Sequence, residues 1–97
     1  MHHQRGSMLT AESSRILTRL CFHFRKKITV HYNEQEGLAH FPWGDCQLTA
    51  REGVLDFACS AATSQDLDRV KHVIDEHVAL FSRKAPLSVQ WQALPPA

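Results

Sequence analysis

Residues 28–60 carry four short runs in which apolar and polar side chains alternate, and a turn signal follows each run. Few folds tolerate that pattern. A period of two sends successive side chains to opposite faces, so each run reads as a half-buried strand. The runs cover residues 28–33, 38–41, 46–51 and 54–60, with turns at 34–37, 42–45 and 52–53. Pro42 presets φ and Gly44 permits a positive φ, which specifies the middle turn.

Burial then fixes an expected register, because a one-residue slip would move every apolar side chain to the wrong face. The first hairpin is expected to set Val30 against Phe41 and Tyr32 against Ala39, which leaves His31 opposite His40 on the outer face. The second sets Phe41 against Cys46 and Ala39 against Leu48. The third, closed by Glu52-Gly53, sets Ala50 against Leu55, Leu48 against Phe57 and Cys46 against Cys59. All three registers agree on one dry face.

Helical patterns flank these strands. Before them, Ile16, Leu17, Leu20, Cys21 and Phe24 recur at helical spacing, and a helix is expected from near Thr10 to about Lys26. After them, residues 64–81 carry the stripe Leu67, Val70, Val73, Ile74, His77, Val78 and Phe81. Thr63 or Ser64 caps its first turn, where Asp66 and Asp68 suit the helix dipole, and Pro86 marks its end. Leu87, Val89 and Trp91 alternate again and read as a fifth strand, expected beside the first run. The fold class is therefore α+β, in the order α-β-β-β-β-α-β. It comprises a four-stranded antiparallel meander, a C-terminal strand and two helices on one face.

A chain of 97 residues supports one hydrophobic core. Residues 8–93 are assigned to a single α+β domain. Residues 1–7 read as a tag remnant or disordered N-terminus, and 94–97 as a frayed tail. No apolar run nears the roughly 20 residues that span a bilayer, and no signal-peptide pattern opens the chain, so a cytoplasmic, membrane-free protein is expected. Three cysteines make no closed disulfide framework and fit reduced thiols. The net charge of +1 hides a division: residues 1–33 are net +5, 34–68 net −6 and 69–97 net +2. A near-neutral chain with no aromatic platform on the outer sheet face does not suit nucleic acid.

Two clusters could carry chemistry. Cys21, His23, Cys46 and His77 are thiols and imidazoles directed at the helix–sheet layer, and zinc or iron would accept such ligands. No Cys-x-x-Cys or His-Glu-x-x-His spacing is present, and Cys21 and His23 point about 160° apart around a helix. No cofactor is called for by the pattern. The His31–His40 pair could act as a pH-sensitive patch. Trp43 is either an interface anchor or folded back on the first helix. Nucleophile elbows, phosphate loops and dinucleotide fingerprints are absent.

With these segments in place, the chain resembles the bacterial domain-of-unknown-function family 2218 over most of residues 13–92. The resemblance is carried by Ser14-Arg15-Ile16-Leu17, Leu20-Cys21-x-His23-Phe24, Phe41-Pro42-x-Gly44-x-Cys46-x-Leu48, Leu67-Asp68, His77, Phe81-Ser82-Arg83 and Pro86-Leu87-x-Val89-x-Trp91. Where this chain has Arg25 and Lys26, members often carry a further histidine. The resemblance implies an uncharacterised accessory or binding domain with a link to iron or siderophore metabolism. It singles out Arg15, His23, His77 and Arg83, whose presence packing explains least. The expected ligand is a small anionic molecule or a protein partner, with a homodimer as one arrangement. A metal-binding protein using Cys21, His23, Cys46 and His77, or a small Cys/His-centred enzyme, stand as alternatives.

Overall fold

The computed structural model describes residues 1–82 and 87–92. It has eight elements: β1 (His2–Leu9), α1 (Ser13–Phe24), β2 (Thr29–Tyr32), β3 (Glu36–Phe41), β4 (Gly44–Arg51), β5 (Val54–Ala61), α2 (Ser64–Phe81) and β6 (Gln90–Trp91). The strands form one antiparallel sheet in the order β2-β3-β4-β5-β1-β6. Both helices cover the same face. The α+β class and the meander are as the alternation dictates, but the sheet has six strands rather than five.

The added strand is β1, which pairs with β5 along eight residues, from His2 with Ala61 to Leu9 with Val54. The expectation of a disordered N-terminus is therefore corrected. Only Gly6 and Met8 of this strand are buried, so its apolar pattern is too thin to read. What holds it is backbone pairing to an edge that β5 would otherwise leave open. β6 in turn pairs with β1, not with β2 as expected. A Cβ on Gly6 would sit 2.6 Å from Trp91 and 2.7 Å from Val89, so the bare glycine lets β6 lie close. Trp91 Nε1 donates to Asp75 of α2 at 3.0 Å and ties this edge to the helix layer.

The third hairpin has the expected register: Ala50 faces Leu55, Leu48 faces Phe57, and Cys46 faces Cys59. Its turn needs Gly53, whose φ is 77°. The first two hairpins are each shifted by two residues, pairing Val30 with Ala39 and Ala39 with Cys46. A two-residue shift preserves the faces, so burial could not detect it. Turn chemistry chose instead. Asn33 Oδ1 accepts from the backbone N–H groups of Gln35 and Glu36, both at 2.8 Å, which tightens the first loop. Pro42 and Trp43 alone make the second loop, because Gly44 pairs with Phe41 inside the sheet. Gly44 keeps a negative φ; it is glycine because a Cβ would overlap the Ser60 carbonyl and crowd Ala61.

α1 begins at Ser13, three residues later than Thr10. Thr10 shapes the preceding turn, accepting from the Glu12 N–H at 3.1 Å. α2 has the expected limits, and the Thr63 hydroxyl accepts from Asp66 N–H at 3.1 Å as its cap. The core lies between sheet and helices. Leu17, Leu20, Leu48, Leu55, Phe57, Leu67 and Ile74 are fully buried there. Each such side chain contributes about 1.5–3 kcal/mol of burial. Arg83, Pro86 and the tail 94–97 lie outside the described residues.

Candidate functional site

The apolar stripe of α2 divides into two rows. Leu67, Val70, Ile74 and Val78 are buried on the sheet, while Val73, His77 and Phe81 are half-buried and turn toward α1. Along α1 and its C-terminal turn, Arg15, Arg19, His23 and Lys27 recur at a spacing of four, which places them on one side of the helix. The two rows meet in a seam. His23 and His77 have ring centroids 4.8 Å apart, and Phe81 stands edge-on to His23 at 5.6 Å. The Arg19 guanidinium lies 5.0 Å above the Phe81 ring.

His77, on the apolar stripe of α2, is half-buried and hydrogen-bonded. Its Nδ1 donates to the Val73 carbonyl at 2.8 Å, which leaves Nε2 free for another partner. Phe24 packs edge-on against it at 5.0 Å. Burial lowers the His23 pKa from its ordinary 6.5, and the neighbouring His77, Lys26 and Lys27 lower it further. A proton on His23 is therefore less favoured than on a free imidazole.

Three hollows open along the seam. One of about 380 Å³ is walled by Phe24, Ile28, Phe41, Trp43 and Val73, with His23, His77 and Lys27 as its polar groups. A second of about 420 Å³ shares His23 and adds Arg19, Phe22, Lys26 and Phe81. A third of about 710 Å³ contains Arg15, Arg19, Leu80 and Phe81. Glu12 is the one acidic side chain among the residues lining these hollows, and it pairs with Arg15 at 2.7 Å. Among the described residues, Arg19, Lys26 and Lys27 form no ion pair. Trp43 is half-buried, stacks with Phe41 with the planes inclined by 10°, and shares the first hollow with His23 and Phe24.

The proposed ligand set Cys21, His23, Cys46 and His77 divides. The two histidines stand in the seam, and the two cysteines lie in the core. Cys21 is fully buried over Gly37, where an added Cβ would come within 2.6 Å of its Sγ. Cys46 is fully buried beside Cys59, whose Sγ donates to it at 3.5 Å. Burial pushes the Cys21 thiol up to about 11. The Cys59 thiol and burial hold Cys46 well above its ordinary 9.0. Such thiols are protonated and poor as nucleophiles or ligands. Among the described residues, no group of three or more His, Cys, Asp or Glu side chains could hold a metal ion.

The remaining candidates are scattered. Arg15 is exposed at the wide end of the seam, and Arg83 lies outside the described residues. His31 and His40 are diagonal neighbours rather than opposite, with edge-on rings 6.2 Å apart. His40 Nδ1 lies 2.8 Å from Asp45 Oδ1 on the helix-free face. Arg19 was expected to supply an anion contact with Arg15 and Arg83, and Trp43 was weighed as an interface anchor; Lys27 and Phe41 were not singled out as site residues. The four-residue spacing of Arg15, Arg19, His23 and Lys27 is the signal that would have found Lys27.

No described helix is long and apolar enough to cross a membrane. Comparison with solved structures gives an NMR structure of PA4090 from Pseudomonas aeruginosa, with a TM-score of 0.82. The two chains are 21% identical, over 99% of this chain and all of that one. That likeness carries the fold alone. No curated protein matches. The family described as an uncharacterized protein conserved in bacteria, DUF2218, matches residues 5–92. The chain belongs to that family.

Proposed function

We propose that this protein is a non-enzymatic binding module that takes a small anionic molecule in the seam between α1 and α2. The observation that carries the reading is the cationic row of α1, which faces aromatic and imidazole side chains and, among the described residues, has no acidic partner beyond Glu12. Guanidinium and ammonium groups supply charge-assisted hydrogen bonds to a carboxylate or phosphate. An apolar wall beside them excludes water and strengthens those contacts. The seam hollows fall within or near the size range of small-molecule sites.

The association with iron or siderophore metabolism belongs to this reading as a proposal. With no three-ligand group among the described residues, the protein would meet that chemistry through an organic anion rather than through a bare ion. The test is a heteronuclear NMR titration with a panel of small anions, including phosphate, citrate, benzoate and octanoate. Saturable shifts grouped on Arg19, His23, Lys27 and His77 are expected. Shifts confined to the helix-free face, or none with any anion, would overturn the reading.

A further inference from the structure

The three seam hollows differ in chemistry, and that difference narrows the ligand. The hollow closed by Trp43 has aromatic or aliphatic side chains on most of its wall, and its cation, Lys27, is exposed at the rim. Its two imidazoles stand together on one side. The neighbouring hollow offers the opposite balance, with Arg19 and Lys26 at an open surface. A bare inorganic anion would gain nothing from Phe24, Phe41 and Trp43. A neutral ring would leave Lys27 without a partner. A molecule that satisfies the whole surface carries one anionic group and a flat apolar body.

We propose that the ligand class is an aromatic monocarboxylate of one or two rings. Its body lies against Trp43, Phe24 and Val73, and its carboxylate is held by Lys27 and a ring N–H of His23. This rests on the seam reading above and specifies its occupant. The size fits: the hollow holds about 380 Å³, near the lower end of ligand-site volumes and short of what a large cofactor needs. The chemistry fits as well. His77 Nδ1 donates to the Val73 carbonyl, so in the neutral ring Nε2 is an acceptor, which leaves the carboxylate to Lys27 and His23. Trp43, stacked with Phe41, brings a broad apolar face into the same hollow.

The experiment is a set of binding isotherms followed by tryptophan fluorescence and NMR on the whole chain. The probes are naphthoate, benzoate, naphthalene-methanol and inorganic phosphate. The variants are Lys27→Gln and Trp43→Leu, both outside the buried core, with thermal melts to verify folding. Naphthoate is expected to bind at least about tenfold more tightly than phosphate or naphthalene-methanol. Lys27→Gln should weaken naphthoate about tenfold and leave naphthalene-methanol unchanged. Trp43→Leu should weaken both ring compounds by a similar factor. Phosphate binding as tightly as naphthoate, indifferent to Trp43→Leu, would overturn the ligand class and leave an anion-binding seam standing. No probe binding the native chain would overturn the ligand class, and the anion-binding reading with it if the wider anion panel also fails.

Discussion

Cys21 and His23 sit two residues apart on α1 and meet opposite surroundings. Cys21 points into the core, toward Gly37 and the Cys46–Cys59 pair, and is fully buried. His23 points along the seam, toward His77, Phe81 and the charges of Lys26 and Lys27. Burial acts on both, yet with different consequences. In the core it keeps the thiols neutral and makes them packing groups. In the seam it is partial, and it lowers the His23 pKa while leaving the ring open to solvent. Residue type alone marks both as potential ligands. The helix turn between them decides which one can meet anything from solution.

The contrast between core and seam is open to direct attack. The largest effect belongs to the core. Phe57→Ala empties space beneath both helices and should cost about 3–5 kcal/mol in urea denaturation. Trp43→Leu in the seam should cost under about 1 kcal/mol in the same assay. Equal losses would mean that the seam is core and not site.

The next effect is alkaline. Cys21 ionises near its ordinary 9.0 when unfolded but only at about 11 when folded. Between those values the unfolded chain releases its proton first, so folding stability falls as pH rises through that window. The fully developed loss is roughly 2–3 kcal/mol. Comparing denaturation at pH 8 and pH 11 in the native chain and in Cys21→Val isolates it, and a variant with the same slope would remove Cys21 as the cause. Alkylating reagents should accordingly reach the three thiols only after denaturation.

A smaller loss is expected from Gly6→Ala, about 1–3 kcal/mol, because the added methyl meets Trp91 and Val89. Its signature should be a change in Trp91 fluorescence and faster amide exchange in β1 and β6, with the seam resonances unmoved.

The smallest effect is acid sensitivity in the seam. His23 has a folded pKa below 6.5, so the unfolded chain takes up the proton first. Stability is complete above that value and falls as pH drops through it. His23→Gln should flatten the dependence of the urea midpoint between pH 7.5 and 5.5. An undiminished slope would place the sensitivity in other histidines.

Much of the architecture is legible without coordinates. The four alternating runs, the cap at Thr63, the limits of α2 and the Cys46–Cys59 pairing follow from period, turn chemistry and burial. The two shifted hairpins were not legible, because a slip of two residues conserves every face and only the loops distinguish the registers. β1 was not legible either, since a strand with two buried residues is held by hydrogen bonds to a neighbour 45 to 59 residues away. For the site, His77 was visible as a polar residue in the apolar stripe of α2 and His23 as one flanking the stripe of α1. Their meeting was not, because it depends on the two helices packing antiparallel along one seam.

The sequence by itself determined the α+β class, the dry face of the sheet and the cationic row of α1, since each is a local periodicity. Only the tertiary structure decided that the cysteines and histidines of one apparent cluster belong to different places. That partition depends on which side of a helix meets the sheet and which meets another helix, and it is fixed by long-range packing rather than by spacing along the chain.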